Sequence, residues 1–293
     1  MAWIQISTTV EETFAEPLSD AFGECGSVSV TFEDAQDQPI FEPDIGTTPI
    51  WQNTRVSALF DAEIDAQSVL KLLKQLLPAI SEHDFKIEAI EDKDWVREWM
   101  DQFQPLAFGK RLWIVPSWLE APDPQGVNLM LDPGLAFGTG THPTTALCLE
   151  WLDSNPPLDL TVIDYGCGSG ILALAAKKLG AASVCGTDID PQAITASLEN
   201  SKRNAENIPF ALVKNFDSQP VDLLLANILA GPLKELAPEF ERLMKPGAQL
   251  VLSGLLASQA DELIAHYRHF GIELTELQTR EEWGLLSGRK QSV

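Results

Sequence analysis

Cysteine is scarce in this 293-residue chain: Cys25, Cys148, Cys167 and Cys185 are scattered. None forms a CxxC pair, and none has a histidine at metal-binding spacing. That excludes a zinc ribbon or a redox dithiol and fits reduced thiols in a cytoplasmic protein. Basic residues are also few, 20 Lys and Arg against 43 Asp and Glu, for a net charge of −23. Nucleic-acid binding rests largely on lysine and arginine contacts to phosphate, so this surface argues against such a partner. It suits a basic one, although acidity that serves only solubility would leave the same mark. No apolar run is long enough to span a bilayer. The opening Met-Ala-Trp-Ile-Gln-Ile-Ser lacks the basic and apolar regions of a secretory leader, so a cytoplasmic location and no membrane partner are expected. What is present is ordinary for packed cores, 45% hydrophobic and 22% charged residues. The length makes two domains the default.

Residues 1–92 read as strand, helix, strand, strand, helix, strand. "AWIQIST" alternates apolar and polar residues as a half-buried strand does, and "DAQSVLKLLKQLLP" opens on an N-capping aspartate and stops at Pro78. The order predicts a ferredoxin-like α+β domain. It carries no reactive cluster, so recognition or packing is its expected role. Residues 93–125 read as a structured linker, with Trp95 and Trp99 on one helical face and "LWIVPSW" as a strand. From 126 to 293 strands alternate with helices, starting at "VNLMLD". Near-continuous apolar strands predict an α/β fold, a doubly wound, mainly parallel sheet with helices on both faces. Ligands in such sheets bind beyond the carboxyl ends of the strands, where the strand order reverses.

Three stretches bring chemistry to that edge. In "TVIDYGCGSGILALAA" a strand ends near Asp164 and meets glycines at 166, 168 and 170, which permit a tight turn and close backbone approach to a ligand. A dinucleotide fingerprint needs GxGxxG, and Ile171 stands where the third glycine would be. A nicotinamide or flavin enzyme is therefore disfavoured. The spacing fits the glycine loop of S-adenosylmethionine-dependent methyltransferases. In "SVCGTDIDPQAI", Asp188 ends the next strand, where a carboxylate can accept both ribose hydroxyls of an adenosine. Asp190 and Pro191 then cap the following helix. In "VDLLLANILAGPL" the fourth strand delivers Asn227, whose amide has one acceptor and two donors. Nitrogen methyltransferases often carry Asn/Asp-Pro-Pro-Tyr/Phe here. The missing aromatic argues against a base-flipping enzyme.

"LDPGLAFGTGTHPTT", residues 131–145, is not a P-loop, because no lysine follows its glycines. It precedes the adenosine unit, so Phe137 and the Gly138–Gly140 turn are expected to cover a cofactor, with Thr145 reaching its polar end. His142 is read as steadying the loop before Pro143 rather than as a base. In this order, behind a small α+β domain, the four stretches closely resemble the family of bacterial methyltransferases acting on ribosomal protein L11. The resemblance spans the whole chain. It implies a class I fold, S-adenosylmethionine as methyl donor, and cofactor contacts at Thr145, Gly166, Asp188 and Asn227, with Asn227 also placing the target amine. It further implies an N-terminal substrate domain and a basic ribosomal protein as partner, methylated on lysine ε-amino and α-amino groups. No direct nucleic-acid contact and a monomer are expected. Two other readings stay open: methyl transfer to another protein or a small molecule, and a non-catalytic adenosine-binding assembly factor.

Overall fold

The computed structural model describes residues 3–38, 40, 49–80, 84–90, 103–132 and 142–292. The chain divides into two compact units, Met1–Gln102 and Phe103–Val293.

In the first unit β1 (Trp3–Glu11), α1 (Glu12–Glu24), β2 (Ser29–Asp34), β3 (Asn53–Asp61), α2 (Ala66–Leu76) and β4 (Lys86–Ile90) follow in order. The sheet order is β2-β3-β1-β4, all pairs antiparallel, which is the ferredoxin-like arrangement the element order predicts. Alternation along β1 and β3 sends Ile6, Val10, Val56 and Phe60 under the helices, where they meet Leu18, Phe22 and Leu73 in one core. Phe22 and Phe60 pack edge to face at 6.1 Å. The Asp65 side chain accepts from Gln67 N and caps α2. The register puts Gln5, Ser7, Arg55, Ser57, Thr31 and Lys86 on the opposite face, which is polar except for Trp3, Leu59 and Ile90 toward one end.

The second unit holds a seven-stranded sheet. Its strands are β8 (Thr161–Tyr165), β9 (Ser183–Asp188), β10 (Phe210–Leu212), β11 (Val221–Asn227), β12 (Met244–Leu256), β13 (Ile272–Arg280) and β14 (Trp283–Lys290). They lie in the order β10-β9-β8-β11-β12-β14-β13. β8 to β12 are mutually parallel, and β14 runs antiparallel to both its neighbours. A period of two splits β11 cleanly: Leu223 and Leu225 enter one core, Leu224 and Ala226 the other. A strand buried on both faces must be apolar through its covered stretch, and Leu223–Ala226 are, with polar Asp222 and Asn227 toward the two ends. Fully burying each such leucine is worth about 1.5–3 kcal/mol. Helices α3 (Pro143–Ser154) and α4 (Ile171–Lys178) cover the first face; α6 (Ala230–Glu235), α7 (Ala237–Leu243) and α8 (Ala260–Arg268) cover the second. Between β9 and β10 the chain forms α5 (Pro191–Arg203). Chain order runs outward from β8 through β9 to β10, then returns to β11 on the other side. The reversal lies between β8 and β11.

One strand sits elsewhere than expected. "VNLMLD" does not open the large sheet. Its strand β7 (Val127–Met130) pairs with β6 (Leu112–Val115), which pairs with β5 (Leu106–Phe108), in a separate three-stranded sheet. Buried Asp153 on α3 holds this sheet by accepting from Lys110 N and Arg111 Nε. Asn204 completes the attachment, accepting from Met130 N and donating to Met130 O. A short apolar strand reports burial but not the sheet it joins. Trp95, Trp99, Phe137 and Gly138–Gly140 lie outside the described residues.

Candidate active site

Asp164 is almost fully buried near the end of β8. Its Oδ2 accepts from Ala173 N at 2.9 Å, tying the strand to the first turn of α4 across the glycine turn. Burial pushes its carboxyl up to about 7, and the neighbouring Asp188 adds to the rise. Between strand and helix, Gly166, Gly168 and Gly170 have φ of 76°, 52° and 77°, the left-handed region that favours glycine. Gly166 N and Cys167 N both donate to Thr187 O, which folds the turn against β9. A side-chain carbon at Gly166 would overlap Ile228 Cγ2.

Asp188 ends β9 beside this turn. Oδ2 accepts from Gly168 N at 2.9 Å and Oδ1 from Asp190 N at 3.0 Å. Those bonds take two of the roughly four acceptor positions of a carboxylate, so each oxygen keeps capacity for a sugar hydroxyl. Asp190 separately caps α5 by accepting from Gln192 N. The acid at 188 and the cap at 190 are therefore distinct, as their spacing suggests. Ile189 between them is 84% exposed, an apolar side chain at the rim beside the acid. Sequence reasoning passed over it. The signal was an apolar residue between two aspartates in a loop that otherwise serves capping.

Asn227 ends β11, across the reversal point from Gly166. Its Nδ2 donates to Thr145 Oγ1 at 3.3 Å, which leaves Oδ1 as an acceptor. Thr145, expected to meet a cofactor's polar end, is only 1% exposed, and its hydroxyl accepts from Asn227. His142 stands just before α3 as its N-cap. Nδ1 accepts from Thr144 N at 3.3 Å and lies 2.7 Å from Thr144 Oγ1, while the ring packs edge-on against Trp283 at 4.8 Å. Burial lowers its pKa. The position is that of a helix cap.

Bare backbone at the glycine turn, a carboxylate with acceptor capacity and an exposed apolar side chain fit a nucleoside. An amide carbonyl at the neighbouring strand end fits a hydrogen-bond donor such as an amine.

The chain matches the family model described as Ribosomal protein L11 methyltransferase (PrmA) over residues 2–291. It is 68% identical to the ribosomal protein L11 methyltransferase of Hydrogenovibrio crunogenus, covering 99% of each chain. It is 56% identical to that of Pasteurella multocida, covering 99% of this chain and 100% of that one. Among solved structures, a ribosomal protein L11 methylase from Lactobacillus delbrueckii subsp. bulgaricus aligns with a TM-score of 0.60 at 32% identity. That alignment covers 64% of this chain and 100% of the other.

Proposed function

From the premise that the chain belongs to the ribosomal protein L11 methyltransferase family, we propose that Asn227 presents an amine of the substrate for methylation at the β8–β11 edge. The enzyme is an S-adenosylmethionine-dependent protein methyltransferase acting on ribosomal protein L11. When bound, S-adenosylmethionine supplies a sulfonium methyl as the electrophile. On this reading Gly166 offers its backbone to that molecule, Asp188 accepts from the ribose hydroxyls, and Ile189 gives the adenine an apolar wall.

A lysine ammonium with pKa about 10.4 is almost wholly protonated at neutral pH, whereas an α-ammonium near 7.7–8.0 is not. Carboxylates stabilise ammonium, so the groups nearest the amine should be neutral. Asn227 meets that need. Its carbonyl accepts an N–H of the neutral amine and fixes the direction of the lone pair, while water takes the proton. Alignment of this kind supplies much of the rate in a displacement whose electrophile is already charged. The observation that carries the reading is the Asn227–Thr145 hydrogen bond, which anchors the amide through one of its two N–H donors and leaves the carbonyl free to accept.

Residues 1–92 are the part we assign to recognition, and 126–293 the methyltransferase domain. Acidic residues outnumber basic ones more than threefold within Met1–Gln102, which favours a basic ribosomal protein over RNA. A monomer meeting that protein directly, at lysine ε-amino and N-terminal α-amino groups, completes the proposal. The test is mass spectrometry of ribosomal protein L11 after reaction. Added multiples of one methylene on the α-amine and lysines are expected from the native enzyme. Asn227→Gln, which keeps a neutral amide acceptor, should retain more activity than Asn227→Ala. Equal loss in both would remove the acceptor role.

A further inference from the structure

The chain next to Asn227 rests on residues outside the four stretches that carry the chemistry. Ser253 lies beside Asn227 in the parallel β11–β12 register, and Ile228 N donates to Ser253 O at 3.1 Å. The next residue of β12, Gly254, sits where pairing with β14 slips, between Ser253 and Leu255. Its φ is 85°. A side-chain carbon there would overlap the Ile228 carbonyl oxygen and stand 2.7 Å from its C and 2.9 Å from its N. These are backbone atoms, so they cannot swing aside as a side-chain tip can. On the other side, Ile228 Cγ2 occupies the space that a side chain at Gly166 would fill. Ile228 is thus gripped by two glycines, its backbone on Gly254 and its side chain on Gly166. The fully buried Ser253 hydroxyl lies 3.0 Å from Gly284 O and 3.3 Å from Thr144 O. It joins the same strand end to the helix that carries Thr145.

We infer that Gly254 is a positioning residue for methyl transfer: by lacking a side chain it seats the Ile228 backbone and so sets where the Asn227 amide lies relative to Thr145 and the Gly166 turn. The inference rests on the proposed role of Asn227. Displacing Ile228 by even a few tenths of an ångström moves its covalent neighbour Asn227 by a comparable amount. Catalysis that depends on alignment is sensitive to such shifts, while cofactor binding, which draws also on Asp188 away from Ile228, should respond much less.

Gly247, at the other end of β12, provides an internal control. Its φ of 79° carries similar backbone strain, yet an added side chain would meet only Ser292 Oγ at 3.4 Å. Turnover on ribosomal protein L11, S-adenosylmethionine affinity by calorimetry, and Tm are measured for Gly254→Ala, Gly247→Ala and Asn227→Ala. Gly254→Ala should lower kcat at least tenfold with the affinity within threefold of native. Gly247→Ala, which carries the backbone strain without the overlap, should lower Tm by less than Gly254→Ala and leave kcat unchanged. In an Asn227→Ala background, Gly254→Ala should cost little more, because both changes remove one function. Ile228→Ala, which introduces no backbone overlap, should lower kcat in the same way and carries the test if Gly254→Ala does not fold.

Equal losses of kcat in the two glycine variants, or a kcat within threefold of native in Gly254→Ala, would overturn the inference. So would a lost cofactor affinity with native kcat, or, where Gly254→Ala does not fold, a native kcat in Ile228→Ala. Full activity in Asn227→Ala would instead overturn the underlying role of Asn227, whatever Gly254→Ala does.

Discussion

Asp164 shows what a single buried carboxyl does to the molecule's pH response. Its pKa is raised to about 7, first by burial and then by the charge of Asp188, against a lowering by the Ala173 N–H bond. Between the ordinary value of 3.8 and about 7 the folded protein therefore holds a proton that the unfolded chain has lost. Stability from this group is complete below 3.8 and falls as pH rises through the window. The effect is on the order of a few kcal/mol. Asp164→Asn keeps an acceptor for Ala173 N and cannot ionise. Chemical denaturation of the native protein between pH 4 and 8 should show this decline, and the asparagine variant should lack it. Parallel profiles for the two proteins would mean that the carboxyl is charged throughout. The other reactive-looking side chains at this scale are quiet: burial pushes the Cys148 thiol up to about 12 and raises those of Cys167 and Cys185. None is a ready nucleophile at neutral pH.

Among the elements, α3 depends on its cap. His142 Nδ1 accepts from Thr144 N, so the ring must be unprotonated there, and burial lowers its pKa in agreement. Below the ordinary value of 6.5 the unfolded chain binds the proton more readily than the folded one. Stability from this cap is complete above 6.5 and is lost as pH falls, opposite in sign to that of Asp164. His142→Ala should cost about 1 kcal/mol in urea unfolding at pH 8, and His142→Asn, itself a good cap, clearly less. An alanine variant as stable as native at pH 8 would show that neither the cap nor the Trp283 contact of this ring adds net stability. The elements also show what the sequence made legible. Gly166, Asp188 and Asn227 could be placed because a strand followed by a turn fixes its own end, and chain-local rules suffice. The destination of β7 was not legible, because pairing with β6 rather than β8 is decided by partners far along the chain. Gly254 was hidden for the same reason: its meaning lies in Ile228, brought beside it by β-pairing. The Thr145–Asn227 hydrogen bond was not legible either, because nothing local reveals that a helix N-terminus turns its hydroxyl toward another strand's amide.

At the scale of the whole molecule, charge governs encounter rather than chemistry. The chain carries −23, concentrated most strongly in the first unit. Such a field raises the approach rate of a basic protein and is screened over about 8–10 Å at physiological salt. The methyl-transfer edge is built differently. On the proposed reading its contribution to the amine is the neutral amide of Asn227; the nearby Asp164 is buried and bound to Ala173 N. Salt should therefore separate the two. Raising ionic strength from about 50 to 300 mM should increase KM for ribosomal protein L11 on the order of tenfold. At saturating substrate kcat should hold, and so should S-adenosylmethionine affinity. Steady-state methylation with both substrates varied would give all three constants. If kcat fell with salt while KM stayed fixed, the acidity would be acting inside the reaction step. A short peptide bearing one lysine and little other charge supplies the complementary arm: its KM should scarcely respond to salt, because it brings too few positive charges for the field to steer.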